Sequence, residues 1–380
     1  MTINLTSLAI RAHFWAVLFL FIGFTALGQR RIEVTYIANE GFLITSGKDK
    51  VLIDGIFNNA YGRYHVPTTL ALSAERGALS PFDSLTMVLV SHKHDDHVNK
   101  DYVAEHLTKD NKSVLICPSQ VSDLIKPLAS YATIKNRIII RNPAFGTHTD
   151  TTINNIHVQV MSFHHPNDAK MEIQDIGFLL TINGFKLFHS GDAVNDDLEF
   201  FKNLNLAKDS IDIAFMARWY FDTEYGDKGT EIMKYLQPKA IIAMHINTDK
   251  YAYYKSAAAN IQGIAPVYFM DTPMTMLNFL KDSVSSAITS LKLNEGIGAP
   301  VQEVLLYPSS DGRKFILSAG TERRKVAQVD VFSVSGFRVY SKRLELSHDA
   351  LLDFSYLPKS LYVVRLKIDG MTYTKKLVLR

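Results

Sequence analysis

The chain has a single cysteine, Cys117, among its 380 residues. No intramolecular disulfide can form, and a metal site built on several thiolates is excluded. Such sparing use suits an oxidising compartment, where a stray thiol is a liability. Charge of one sign is scarce too: 41 Lys and Arg stand against 38 Asp and Glu, a formal net charge of +3, with the two signs interleaved. A nucleic-acid partner usually demands a concentrated basic face, so that class is disfavoured. Internal repeats and low-complexity tracts are absent. The apolar run Phe14–Gly28 (FWAVLFLFIGFTALG) has 15 residues, short of the roughly 20 that span a bilayer.

That run is still informative. It follows a weakly positive start with Arg11 and ends in Ala26 and Gly28, small side chains of the kind a signal peptidase needs. It reads as an export signal cut before Gln29 rather than as a membrane anchor. No cysteine lies near the cut, which disfavours a lipid-anchored amino terminus.

With nearly half of its residues apolar, the chain has material for large cores, and its length calls for two folded units. Arg31–Phe57 alternates and then runs apolar around a Ser-Gly-Lys-Asp-Lys turn, the pattern of an antiparallel pair opening a sheet. Asn58–Asp83 is polar and aromatic, a candidate flap. Thr86–Ser91, Ser113–Cys117, Arg137–Ile140, Ile156–Phe163, Gly177–Ile182, Phe185–His189, Ile211–Met216 and Ala240–His245 read as strands. Helical stretches lie between several of them, at Asp101–Leu107, Val121–Ala129 and Lys228–Leu236. Interleaving on this scale indicates layered α/β packing. Leu291–Pro300 (LKLNEGIGAP) is a turn-rich linker, and beyond it the alternation is only strand-like, at Val329–Val334, Phe337–Tyr340, Leu361–Ile368 and Tyr373–Leu379. Short strands at that spacing predict a small β-sandwich.

The chemistry concentrates in VSHKHDDHV, Val90–Val98, which follows an apolar run. His92 and His94 are two apart, so on an extended strand end both imidazoles point the same way and one cation can take both. Asp96 and His97 follow on the tightening loop and can face a second cation, a donor set that suits zinc. A polar loop carrying several histidines can also bind nothing. Against that reading, His-x-His-x-Asp-His resembles the signature of the metallo-β-lactamase superfamily.

The resemblance implies an αββα sandwich and demands further ligands in a set order. Strand Ile156–Phe163 ends in His164-His165, Phe185–Phe188 ends in His189-Ser190-Gly191-Asp192, and Ala240–Met244 ends in His245. Glu40-Gly41-Phe42-Leu43-Ile44 and Leu52-Ile53-Asp54 are similar to the family's opening hairpin. Together these features cover about Arg31–Met276. Carried over, the resemblance implies a first metal held by His92, His94 and His165, and a second held by Asp96, His97 and His245. Asp192 would stand between the two. His165 is preferred to His164 on its spacing to Asp175-Ile176-Gly177. His189 is either a partner behind the ligands or an ordinary buried histidine. Asp54 is expected to orient a ligand histidine, since ligating imidazoles donate their other N–H to a carboxylate or carbonyl.

Two Zn2+ ions, with Mn or Fe as alternatives, would lower the pKa of bound water to about 7 and neutralise a developing oxyanion. Asp96 and Asp192 carry the catalytic roles in this reading, and with no nucleophilic Ser or Cys motif, hydrolysis is direct. True β-lactam hydrolases generally lack the bridging aspartate, so the resemblance favours the branch of lactone hydrolases, phosphodiesterases, transfer-RNA processing nucleases and ascorbate-lactone enzymes, of which the near-neutral charge and the export signal disfavour a nuclease. Arg218-Trp219-Tyr220 either lines the pocket, with Arg218 holding an anionic group, or merely packs a loop.

The tail, from Glu303 (EVLLYP) to Arg380, resembles the carboxyl-terminal sorting domain of the type nine (Por) secretion system of Gram-negative bacteria. Ser309-Ser310 stands where Asn-Pro is usual, and Ser360-Leu361-Tyr362 replaces Gly-x-Tyr. The implied organisation is signal peptide 1–28, hydrolase domain 29–290, linker 291–302 and β-sandwich sorting domain 303–380. The implied protein is secreted or surface-attached, takes a small-molecule substrate and engages the secretion machinery, with no nucleic acid and no integral membrane segment after cleavage. A non-catalytic surface module on the same fold, and an intracellular nucleic-acid enzyme, are the competing classes. Filled ligand positions oppose the first and the export signal opposes the second.

Overall fold

The computed structural model describes residues 30–281 except 167, 169–171, 196–197, 223–226 and 262. Beyond these it describes 284, 288–290, 305–308, 313–318, 325–333, 337–346, 350–368 and 371–379. The expected signal peptide, 1–28, and linker, 291–302, lie outside the described residues.

Two sheets form the larger unit. In the first, Arg31–Ala38, Gly41–Ser46 and Asp49–Ile53 run antiparallel, and Met87–Leu89, Val114–Cys117 and Ile138–Ile140 then add in parallel. Met276–Leu280 closes the other edge of Arg31–Ala38. The second sheet runs from His148–Ile153 through Ile156–Phe163, Asp175–Ile182 and Phe185–His189 to the parallel strands Ile213–Ala217, Ala240–Met244 and Val267–Phe269.

Strand periodicity decides which core each side chain joins, because successive residues face opposite sides of a sheet. Val51, Ile53, Met87 and Leu89 enter a core shared with the second sheet, while Leu52, Val88 and Val90 enter a second core under helices Thr69–Arg76, Lys100–Lys109 and Ser119–Ile125. Helices Leu198–Asn203 and Lys228–Leu236 cover the far side of the second sheet through Phe200, Phe201, Ile232, Met233 and Leu236. The order is helix, sheet, sheet, helix, the αββα sandwich expected from the sequence.

Most strands lie where the alternation put them, with Ile156–Phe163, Phe185–His189 and helix Lys228–Leu236 matching to the residue. Asn58–Asp83 differs: it contains helix Thr69–Arg76, capped by Thr68 Oγ1, which accepts from the Ala71 amide at 3.1 Å. Only the segment before that helix reaches the candidate site.

The carboxyl-terminal unit packs Leu305–Pro308, Lys314–Ser318 and Ala350–Asp353 as one sheet and Arg338–Leu346, Lys325–Ser333, Leu361–Ile368 and Met371–Val378 as another. Phe315, Leu317 and Leu352 of the first sheet share a core with Val329, Val331, Val364 and Leu366 of the second, so the unit is a β-sandwich. No helix among the described residues is long and apolar enough to cross a membrane.

Candidate metal centre

Parallel strands deliver side chains to one edge of the sandwich. Met87–Leu89 leads into Ser91–His97, Phe185–His189 into Asp192, Ile213–Ala217 into Arg218, and Ala240–Met244 into His245. In α/β sheets the carboxyl ends of parallel strands are where ligands bind.

Two groups of donors converge there. Ligand atoms of His92, His94, His165 and Asp192 all lie within 4.8 Å of one another, as do those of Asp96, His97 and His245. Asp192 connects the two groups: its Oδ2 is 3.3 Å from His165 Nε2 and 3.6 Å from His245 Nε2, and its Oδ1 is 3.6 Å from His97 Nε2. His164 points elsewhere and stacks on Phe145 at 3.7 Å between ring centroids. All seven side chains named from the sequence therefore meet, although His245 is 153 positions from His92.

Local backbone explains the delivery. Gly191 has φ +56°, and a Cβ there would sit 2.8 Å from Asp175 Oδ1, so only glycine lets the chain turn before Asp192. His245 also takes φ +56°, a left-handed conformation that costs a non-glycine residue energy and clusters at functional sites.

A hydrogen-bond network fixes the imidazoles. Asp54 accepts from the Ser91 amide at 2.8 Å and from Ser91 Oγ at 2.6 Å. With its hydrogen committed to Asp54, Ser91 Oγ accepts from His92 Nδ1 at 3.0 Å. His97 Nδ1 donates to Asp54 Oδ2 at 3.1 Å. Both rings are thereby held with Nε2 turned toward the donor cluster, His92 Nε2 standing 3.0 Å from His94 Nδ1 and His97 Nε2 without a hydrogen-bond partner among the described residues, the arrangement that backs metal-binding histidines. Asn39 Nδ2 donates to Asp96 Oδ2 at 3.2 Å. His189 Nε2 donates to the Glu40 carbonyl at 3.0 Å, and its Nδ1 accepts from the Gly191 amide at 3.1 Å. His189 thus ties the opening hairpin to the Gly-Asp turn and stays outside both donor groups.

The residues fit a pair of divalent cations. His97 Nε2, His165 Nε2 and Asp192 Oδ1 are buried with no hydrogen-bond partner among the described residues, and orphaned buried polar atoms are costly. Burial holds the His92 pKa well below its ordinary value, so its nitrogen is a free base. Burial also opposes charge on His97, but Asp96, Asp192 and Asp54 outweigh it and push its pKa to about 10. Burial would raise Asp192, yet His245 and His97 hold it well below the carboxylate range. The centre demands positive charge where the donors converge.

A cavity of about 540 Å³ opens over the cluster. Tyr61, Arg63, Tyr64, Arg218, Trp219 and Lys228 form its walls. Arg218 Nη1 donates to Tyr254 Oη at 3.0 Å, and Arg218 has no carboxylate partner among the described residues. The Trp219 ring lies 5.1 Å from His245, and its Nε1 donates to the Ala193 carbonyl at 2.8 Å. Tyr220 is buried and donates to the Ala193 and Val194 carbonyls. Of the three, then, Arg218 and Trp219 line the pocket and Tyr220 packs the loop.

Residues 33–245, more than half of the chain, match the model of the beta-lactamase superfamily domain. The chain belongs to this superfamily. Residues 306–380 match the secretion system C-terminal sorting domain, a tail that marks the chain for export through the type IX system. A UPF0173 metal-dependent hydrolase of Pyrococcus furiosus is 24% identical over 220 residues, which cover 57% of this chain and 85% of that protein. One from Pelotomaculum thermopropionicum is 25% identical over 225 residues, again 57% and 85% of the two chains. Among solved structures, a metallo hydrolase of the archaeon Ignicoccus hospitalis matches with a TM-score of 0.48 and 15% identity, covering 66% of this chain and 98% of that one. The superfamily match, with curated relatives that are metal-dependent hydrolases, places the chain among the metal-dependent hydrolases.

Sequence reasoning passed over Glu40, Asn39 and Asp175, all buried in the cluster's surround. Asn39 and Glu40 occupy a hairpin turn, where side chains ordinarily face water. The signal available was the acid immediately before Gly41, a glycine whose Cβ would lie 2.8 Å from the Asp54 carbonyl oxygen.

Proposed function

We propose that the chain is an exported dinuclear zinc-dependent hydrolase acting on a small anionic lactone, ester or phosphodiester. The observation that carries this reading is the convergence of His92, His94 and His165 on one side of Asp192 and of Asp96, His97 and His245 on the other. Two cations held there supply an activated water and a Lewis acid at the reacting centre. Asp54 and Ser91 keep His92 and His97 in the ligating tautomer, and Asn39 holds the Asp96 carboxylate in place to orient the water. Arg63, Arg218 and Lys228 give the cavity a cationic wall, which suits a phosphate or carboxylate group on the substrate. The cavity volume fits a ligand of small-molecule size.

The same reading assigns residues 1–28 to a signal peptide, 29–290 to the hydrolase, 291–302 to a linker and 303–380 to the sorting domain. The mature protein would be released or held at the outer surface of a Gram-negative bacterium. The test is a panel of lactones, phosphodiesters and carboxylic esters assayed on metal-replete protein, with and without a chelator. Chelator-sensitive turnover that metal restores supports the hydrolase. Protein that binds metal but turns over none of these classes favours a binding module instead.

A further inference from the structure

Tyr64 lies in the segment between strand Asp49–Ile53 and helix Thr69–Arg76. That segment is tied to the ligand-bearing loops on either side of the site: Asn59 Nδ2 donates to Asp95 Oδ2 at 3.2 Å, and the Thr248 amide donates to the Arg63 carbonyl at 3.0 Å. Between these anchors the Tyr64 ring packs on Ala38, Phe57 and Ala60. It also lies 4.2 Å from the His245 imidazole, centroid to centroid. An apolar floor and a metal-site imidazole together fix the ring.

The Tyr64 hydroxyl is hydrogen-bonded to the Arg218 side chain. A guanidinium has donors and no acceptor, so Arg218 gives a hydrogen to Tyr64 Oη and cannot take one. The same guanidinium donates from Nη1 to Tyr254 Oη at 3.0 Å, and that phenol passes its own hydrogen to Asp222 Oδ2 at 3.4 Å. On Tyr64 the hydrogen is likewise turned away from Arg218. It is left for the cavity that Tyr64 and Arg218 line together with Asp96, Asp192 and His245, close enough for both carboxylates to act on the phenol electrostatically.

We propose that Tyr64 contacts the substrate directly, donating its phenolic hydrogen to the substrate oxygen held at the second cation. This rests on the dinuclear reading above and deepens it, because that side of the centre gains a hydrogen-bond donor beside the Lewis acid. Negative charge developing on the oxygen meets a donor already in place. No proton is transferred. Arg218 keeps a separate role, its remaining N–H groups serving the anionic part of the substrate. Because packing holds the Tyr64 ring, removing Arg218 leaves the phenol where it is.

The test uses full-length Tyr64→Phe, which keeps the ring over His245 and removes only the hydroxyl. Inorganic phosphate, a tetrahedral oxyanion, is titrated calorimetrically into the zinc-loaded protein, and metal content is measured in parallel. Y64F should hold two ions as wild type does and bind phosphate about 10–100-fold more weakly, the range for a lost hydrogen bond to a charged group. Equal phosphate affinity in the two proteins would overturn the proposal and leave the dinuclear centre standing, with Tyr64 reduced to packing on His245. Wild type that holds two ions but takes no phosphate would overturn it as well, as would a Y64F that loses metal. If wild type holds no ions, the dinuclear reading falls with it. Phenylalanine preserves the packing, so metal-free Y64F should melt as metal-free wild type does.

Discussion

Glu75 offers a quantitative test of the core that carries the first half of the site. It lies in helix Thr69–Arg76, is 0% exposed, and neither carboxylate oxygen has a hydrogen-bond partner among the described residues. Its surroundings are the apolar core under the first sheet, and His106 donates from Nδ1 to the Glu75 carbonyl at 2.5 Å. Burial raises the Glu75 pKa well above its ordinary 4.5 and lowers that of His106, so both are neutral in the folded state. Glu75→Met keeps side-chain length and removes an unsatisfied polar group, which should stabilise by about 1–3 kcal/mol. A folded-state pKa above the unfolded one means the native contribution is fully present below about pH 4.5 and is lost as pH rises through the folded pKa. The slope is about 1.4 kcal/mol per pH unit across that window. The advantage of E75M should therefore be smallest near pH 4.5 and grow toward pH 7, raising the hydrolase-domain Tm by about 2–4 °C per kcal/mol. Calorimetry at several pH values measures it. A destabilised E75M, or a stability difference that does not change with pH, would refute the reasoning.

Four further outcomes are expected. Asp54→Asn removes the acceptor that fixes Ser91 and His97 and should weaken metal affinity about 10–100-fold, read by competition with a chromogenic chelator. Arg218→Ala should raise KM for anionic substrates about tenfold or more while leaving neutral analogues nearly unchanged, read from matched kinetics; equal losses on both would remove Arg218 from recognition. Burial pushes the Cys117 thiol up to about 12, so a thiol reagent at pH 8 should find nothing in the native protein and one equivalent after denaturation. Deleting Gly336–Arg380 removes three complete strands, Arg338–Leu346, Leu361–Ile368 and Met371–Val378, from the four-stranded sheet and should strand the protein in the periplasm, seen by fractionation; full export of the truncated chain contradicts the sorting role.

The sequence exposed what rests on local pattern. Ile156–Phe163 and Phe185–His189 alternate strongly enough to be read directly, and each ends on the residues that enter the cluster. Helix Thr69–Arg76 was hidden because its apolar positions are few and its packing partner, Lys100–Lys109, is distant in the chain. His148–Ile153 escaped for a related reason: an edge strand of His, Thr and Asp alternates in exposure but hardly in polarity. Met276–Leu280 is a strand because Arg31–Ala38, some 240 positions away, has a free edge. Glu40 shows the limit most clearly. Its burial depends on His189 and Asp192 from the opposite sheet, and no local rule for a two-residue turn contains that information.

The central claim is that seven side chains surround a pair of cations. Crystals grown with metal and measured at the absorption edge test it directly. The account predicts two anomalous peaks about 3.5–4 Å apart, one bonded to His92, His94 and His165, the other to Asp96, His97 and His245, with Asp192 touching both. Absence of anomalous density at the cluster, or a single peak ignoring Asp192, would contradict it.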